Sequence, residues 1–330
     1  MQNAYFPHME WAKAHSRTPL RLELGFSGAA RPKGPAFREH GSGAEDVERM
    51  VARRYGVAED EVYLAGGTSL ANFLAIAAFC GPGQPVAVET PRYAPLAEIP
   101  RGLGAPVIDL RRPAEGAMRA PPSEAALAIV TTPHNPTGRL LTGKEWASLA
   151  TFADRGGIVL VDEVYRDLQR RPPPVAAARH PRFLTTMSLT KSYGLGALRL
   201  GWVLGKRDLL DRIRRVDNIV SVQVATPSLL LLKRVWPRLG EYRKRALAPF
   251  RANLGVLRRS GLGFIEPEAG LTALVRVGDG DAVAAAMQER GLGVARGSFF
   301  GAPEYVRLFL GADRKVFREG VALLAAYLGV

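Results

Sequence analysis

Ser188-Leu189-Thr190-Lys191-Ser192-Tyr193-Gly194-Leu195, with Arg199-Leu200-Gly201-Trp202 close behind, is the segment of this chain whose residue types could do covalent chemistry. Only eight of the 45 basic residues are lysine; the rest are arginine. Arginine stays protonated in proteins, whereas a lysine shielded from water can lose its proton and form a Schiff base. Hydroxyls at Ser188 and Thr190 precede the amine, and Arg199 follows it by eight residues. That pattern suits a phosphate held beside an imine, and hence the covalent attachment of a phosphorylated aldehyde. Taken alone, the segment also fits a solvated loop lysine.

Five further motifs carry chemistry. Gly66-Gly67-Thr68-Ser69 lies between an expected strand and an expected helix. Glycines let backbone amides approach an anion, a helix N-terminus favours negative charge, and Thr68 and Ser69 add hydroxyl donors. An ordinary capped helix start explains the same residues. Thr132-Pro133-His134-Asn135-Pro136-Thr137-Gly138 reads as a turn in which Asn135, fixed between prolines, offers an amide donor to a phenolate oxygen. His134 reads as structural. In Val159-Leu160-Val161-Asp162-Glu163-Val164-Tyr165 a carboxylate ends an apolar strand, which is costly unless it is paired. Asp162 could face a protonated ring nitrogen and Tyr165 the phenolic oxygen of the same ring; a helix N-cap is the alternative for Asp162. Tyr93, in Pro91-Arg92-Tyr93, could stack on an aromatic cofactor or simply pack. Arg307, inside the apolar run Tyr305 to Leu310, needs an anion: a substrate carboxylate bound bidentately, or an internal salt bridge.

These residues must be positioned by the elements around them. Ala44 to Tyr55 reads as an amphipathic helix ending near Gly56. Apolar runs then alternate with helical stretches: Val62 to Ala65, Ser69 to Phe79, Pro85 to Val88, Pro95 to Leu103, Leu127 to Thr131, Gly143 to Ala153 and Ile158 to Val161. Thr185 to Ser188 and Leu198 to Leu204 are expected strands flanking a lysine loop. Strands alternating with helices predict an α/β fold with a mostly parallel sheet covered on both faces. Each motif then falls at a strand end, where such folds build their sites. Beyond Lys206 the pattern is helical through Leu247. From Gly261 a second strand–helix mixture indicates a smaller α/β domain: Thr272 to Val277, Asp281 to Arg290, Val294 to Arg296, Tyr305 to Leu310 and Lys315 to Leu328. Residues 1–40, with four prolines, are expected to be irregular.

Composition narrows the function classes. With 330 residues, 47% hydrophobic and 23% charged, the chain is expected to be globular, with one large and one smaller domain. No apolar run approaches the 18 or more residues of a membrane span, and Met1 to Arg17 has no apolar signal region. The single cysteine, Cys80, excludes an internal disulfide framework and a multi-cysteine zinc site; it reads as a core side chain, and no metal is expected. The net charge of +14 suits anionic small molecules. The densest basic group (Arg207, Arg212, Arg214, Arg215) sits on an expected helix with acidic neighbours, and no nucleic-acid-binding motif stands out. A soluble cytoplasmic protein that binds neither membrane nor nucleic acid is the expectation.

In this order, Gly-Thr-Ser, Pro-x-Tyr, Asn-Pro-Thr-Gly, Asp-x-x-Tyr, Ser-x-Thr-Lys, an arginine eight residues on and a late arginine resemble the fold-type I pyridoxal-phosphate enzymes. The resemblance is specifically to the class I/II aminotransferases related to aspartate aminotransferase, and it covers about Glu45 to Leu310. It implies a seven-stranded sheet in a large cofactor domain (41–235), a small C-terminal domain (236–330) and an N-terminal arm (1–40) packing on the site. It implies pyridoxal 5'-phosphate bound as a Schiff base to Lys191, which also shuttles the substrate's proton. Asp162 would pair with the pyridine nitrogen, Asn135 and Tyr165 with the O3′ oxygen, and Tyr93 would stack on the ring. Gly67, Thr68, Ser69, Ser188, Thr190 and Arg199 would hold the phosphate, and Arg307 the substrate carboxylate.

The implied reaction is amino-group exchange between an L-amino acid and a 2-oxo acid in a cytoplasmic homodimer. Decarboxylation or β-elimination on the same constellation is the alternative, while a non-enzymatic regulator lacks a DNA-binding domain. Two stretches depart from the family pattern. Leu22-Glu23-Leu24-Gly25-Phe26-Ser27 only loosely matches the segment that closes over substrate, with Gly25 the candidate contact. Phe37-Arg38-Glu39-His40-Gly41 lacks the tyrosine that family dimers often lend to the partner's phosphate site. The length is closer to the compact histidinol-phosphate branch. The substrate side chain is not legible.

Overall fold

Leu127–Thr131 (β4) and Ile158–Asp162 (β5) are apolar along nearly their whole length and buried at every position, so they form the centre of a sheet covered on both faces. The computed structural model describes residues 43–113 and 116–330. Gly25 and Phe37 to Gly41 lie outside them. The large sheet adds Val62–Ala65 (β1), Val86–Thr90 (β2), Val107–Arg111 (β3), Phe183–Ser188 (β6) and Gly201–Leu204 (β7), in the order β1-β7-β6-β5-β4-β2-β3. Strands β2 to β6 run parallel, and β7 is antiparallel to both β1 and β6. Thr131, Asp162 and Thr186 are register partners in one row at the carboxyl ends of β4, β5 and β6.

Helices Ala44–Tyr55 (α1), Thr68–Phe79 (α2), Pro95–Gly102 (α3) and Gly143–Asp154 (α4) agree with the sequence reading within a residue or two. Helix α1 ends because Gly56 takes the left-handed conformation, and α4 begins with a capping box between Thr142 and Glu145. One core cluster joins α2 and α3 to one face of the sheet; another packs Leu149, Phe152 and Ala153 of α4 on Val159 and Val161. Cys80 is a buried free thiol.

Two readings need correction. Strand β3 was not expected: Val107-Ile108-Asp109-Leu110-Arg111 is a half-exposed edge, so polar residues break the apolar run that marks a strand. Lys191 lies not in a loop but in a short helix, Leu189–Tyr193 (α5), capped at one end by the Ser188 hydroxyl and at the other by left-handed Gly194.

Beyond β7 come Arg207–Val220 (α6), Thr226–Val235 (α7) and the long Leu239–Arg258 (α8). The basic group on α6 is accompanied as expected, with Arg214 and Arg207 both paired to Asp211. Leu239 of α8 packs in the cluster around Trp202, whereas Leu254 and Leu257 pack in the core of a second sheet. That sheet has the order β8-β10-β9, formed by Thr272–Arg276 (β8), Ala295–Arg296 (β9) and Tyr305–Phe309 (β10), all antiparallel. Gly280–Glu289 (α9) and Arg314–Leu328 (α10) cover it. No described helix is long and apolar enough to cross a membrane.

Candidate active site

Strand ends and the turns after them gather the expected residues at the carboxyl edge of the large sheet. Asp162, the last residue of β5, is buried, and both its oxygens are engaged. Oδ2 accepts from Asn72 Nδ2 at 2.9 Å and Oδ1 from the Val164 N–H at 3.0 Å. The second bond is the local turn contact that the N-cap alternative anticipates; the first commits the carboxylate to the site. Burial pushes the Asp162 pKa up to about 6, against the opposing pull of Asn72, Val164 and the Lys191 charge. Asn72 is held in turn by Thr186 Oγ1, which donates to its Oδ1 at 2.5 Å. Sequence reasoning missed both residues. Asn72 had a signal: a polar residue one turn after Thr68, on the buried face of an otherwise apolar helix, must have a partner.

The anion cup forms where β1 meets α2. Gly67 caps α2 with φ 93°, and a Cβ there would lie 3.2 Å from the Arg199 guanidinium. Arg199 donates to the Gly66 carbonyl at 3.1 Å, which brings its charge over the α2 N-terminus. Gly201 is needed for this approach: a Cβ there would stand 2.5 Å from the Met187 carbonyl oxygen and 2.9 Å from Gly67. Thr68 Oγ1 is buried without a hydrogen-bond partner among the described residues, and Ser69 is exposed beside it. A buried hydroxyl left unsatisfied next to free helix amides and a guanidinium is the donor set of a phosphate site, so the residues present fit a phosphorylated cofactor. Ser188 spends its oxygen on the Thr190 N–H at 3.4 Å, leaving its own O–H to donate, while the Thr190 methyl faces Gly196.

Lys191 is exposed and makes no hydrogen bond or ion pair with the described residues; its charge is felt at Asp162. The expected shielding from water therefore does not come from the described residues. Ser192 Oγ fastens α5 to the Val164 carbonyl at 2.8 Å.

On the substrate side, Arg307 projects from β10 and donates to Asn135 Oδ1 at 2.9 Å, with its guanidinium 4.4 Å from the centre of the Phe300 ring. No carboxylate among the described residues pairs with it, so the salt-bridge alternative finds no partner among them. Burial lowers its pKa, offset by Tyr165 and Tyr93 nearby. Tyr165 is buried, and that burial pushes its pKa up to about 12, with Arg307 pulling it down and Asp162 and Tyr93 raising it. Tyr93 is 37% exposed at the turn after β2. Phe300, the platform under Arg307, was not singled out in the sequence, where it is one apolar residue among many.

A mostly parallel sheet that brings a lysine, a buried carboxylate and a phosphate cup to one edge, with an arginine from the second sheet that has no carboxylate partner among the described residues, defines a pyridoxal-phosphate-dependent enzyme of fold type I. The chain belongs to the aminotransferase class I and II family, whose model matches residues 10–324. It is 31% identical to an aspartate aminotransferase of Thermococcus kodakarensis over 293 residues, covering 84% of this chain and 78% of that one. It is 28% identical to a histidinol-phosphate aminotransferase of Cupriavidus pinatubonensis, covering 85% and 77%. A solved pyridoxal-phosphate-dependent aminotransferase from Streptococcus suis shares the fold with a TM-score of 0.80 at 21% identity, covering 99% of this chain and 91% of that one. The protein is a pyridoxal-phosphate-dependent aminotransferase acting on amino acids and 2-oxo acids.

Proposed function

We propose that Lys191 is the covalent attachment point and the base of this aminotransferase, with Asp162, Tyr165 and Asn135 addressing the cofactor ring. When bound, pyridoxal phosphate supplies the electron sink that stabilises charge at the substrate α-carbon. The chain does the rest. Asp162, ionised opposite the ring nitrogen, keeps that nitrogen protonated. Tyr165 and Asn135 hold the ring oxygen, and Tyr93 covers the ring. Gly67, Thr68, Ser69, Ser188 and Arg199, with Thr190 as helper, bind the phosphate. Lys191 Nζ would take up and hold the proton from the substrate α-carbon, and Arg307 would fix the substrate carboxylate so that the α-proton faces this amine.

The observation that carries the reading is Arg307: a half-buried guanidinium braced by Asn135 and Phe300, with no carboxylate among the described residues to neutralise it. A monoanionic carboxylate satisfies its two outward N–H groups. Arg307→Ala should raise the KM for the amino donor about 10- to 100-fold, the loss of a charge-assisted pair. An unchanged KM removes Arg307 from this role.

A homodimer is supported by Ile219, Val220, Leu230 and Leu231, large apolar side chains exposed on consecutive helices. A large domain to residue 235 and a small one from 236 are supported by separate cores around the two sheets, with α8 running between them. A cytoplasmic location is supported by the single, buried, free cysteine. The relatives are named for aspartate and histidinol phosphate, and both suit a chain of net charge +14 that favours acidic or phosphorylated donors. The deciding experiment screens amino donors against 2-oxoglutarate and pyruvate while following the cofactor's absorbance. Spectral change with oxo-acid product supports transamination; spectral change without it would favour the lyase alternative.

A further inference from the structure

The Tyr93 turn follows β2 and the Asn135 turn follows β4, and these are neighbouring parallel strands. Buried side chains join the two turns beneath the site. Glu89 of β2 accepts from Thr131 Oγ1 at 2.5 Å and from Arg112 at 2.8 Å, and Arg112 reaches on to the Thr131 carbonyl at 2.7 Å. Thr131 Oγ1 accepts the Asn135 N–H at 3.4 Å. His134 makes the remaining tie. Its Nε2 lies 2.9 Å from the Pro91 carbonyl oxygen and its Nδ1 lies 2.7 Å from Thr137 Oγ1. A carbonyl can only accept, so Nε2 carries the proton and Nδ1 accepts from Thr137. Glu89 stands 3.7 Å from Nε2, beyond hydrogen-bond reach.

The His134 ring is buried, and burial together with the Arg112 charge holds its pKa well below the ordinary histidine value. A neutral ring with both nitrogens occupied has no proton to exchange with a substrate. Its geometry is that of a spacer between two turns. The Tyr93 turn is also anchored by the Arg92 N–H to the Phe300 carbonyl at 2.8 Å, and Phe300 lies under Arg307. The histidine bond ties the same turn, at Pro91, to the Asn135 turn.

We propose that His134 is a positioning residue for the cofactor: its Nε2–H bond to the Pro91 carbonyl sets the spacing between the Tyr93 and Asn135 turns, and so holds the Tyr93 ring where the cofactor ring stacks. The inference rests on the roles given above to Tyr93 and Asn135. In the wild-type protein, nitrogen-15 NMR should find His134 neutral with the proton on Nε2 from pH 6 to 8. A proton on Nδ1, or a charged ring, overturns the proposal without any variant having to fold.

Apoprotein variants then test the consequence by titration with pyridoxal phosphate. His134→Gln retains an N–H near the Nε2 position, whereas His134→Asn reaches only the Thr137 side. The dissociation constant should rise about tenfold in His134→Asn and less than about threefold in His134→Gln, since one buried hydrogen bond separates them. The visible circular dichroism of the bound cofactor, which reports ring orientation, should fall only in His134→Asn. Equal losses in both variants, or none in either, would overturn the proposal. If the wild-type apoprotein binds no pyridoxal phosphate, the reading of the whole site fails with it; if it binds and the variants match, only the role of His134 fails.

Discussion

The proposal of Lys191 as the reactive amine starts from its rarity in an arginine-rich chain and its place between hydroxyls and Arg199. The sequence alone left its surroundings open, because shielding depends on what lies nearby in space. Borohydride should bleach the yellow holoenzyme and fix the cofactor on Lys191; labelling of another lysine would sink the assignment. Lys191→Ala should lower turnover by about a thousandfold or more while the phosphate cup still binds cofactor. Asp162 gives a pH prediction. Its folded pKa of about 6 stands above the ordinary 3.8, so in the empty site the carboxylate takes up a proton as pH falls through 6 and loses its charge for the ring nitrogen. Cofactor affinity should therefore weaken below about pH 6, by at most about tenfold per unit for this single proton. The empty fold behaves oppositely with respect to this group. It binds the proton more tightly than the unfolded chain, so this contribution to stability is complete below 3.8 and is lost as pH rises through 6. Equilibrium titrations of the apoprotein at pH 5 and 8 check the first statement; a flat profile contradicts it.

At the scale of elements, strands with unbroken apolar runs were read within one or two residues, because burial on both faces leaves a continuous signal. Strand β3 escaped because an edge alternates exposed and buried positions. Helix α5 escaped because five residues give no period; its ends are set by the Ser188 cap and left-handed Gly194. The junction of β7 with the Gly67 loop depends on a close backbone approach that no local pattern encodes. Gly201→Ala would drive a methyl group against the Met187 carbonyl and the Gly67 backbone. Overpacking against rigid backbone should cost about 2–3 kcal/mol of stability and weaken phosphate binding together. Urea unfolding and cofactor titration would show both losses; a stable variant with normal affinity would mean that the cup tolerates a wider gap.

For the molecule as a whole, the exposed apolar residues of α6 and α7 make assembly testable. The 35.7 kDa chain should sediment as a dimer, and Leu231→Glu should shift it towards monomer by placing a charge in a desolvated interface. A monomeric wild type at micromolar concentration would contradict the homodimer. The basic surface was legible as a number, but not the charge that matters most: only the three-dimensional arrangement shows that Arg307 has no carboxylate beside it among the described residues.

The order of short motifs along the chain determined the family and the cofactor and singled out Lys191 for the proposed attachment, because each residue type has a chemistry that survives without coordinates. The tertiary structure alone decided which groups are in contact: Asn72 with Asp162, Phe300 with Arg307, His134 with Pro91. These pairs lie 43 to 90 residues apart in two cases and seven in the third. Strand register and helix packing bring them together, and sequence spacing carries no trace of either.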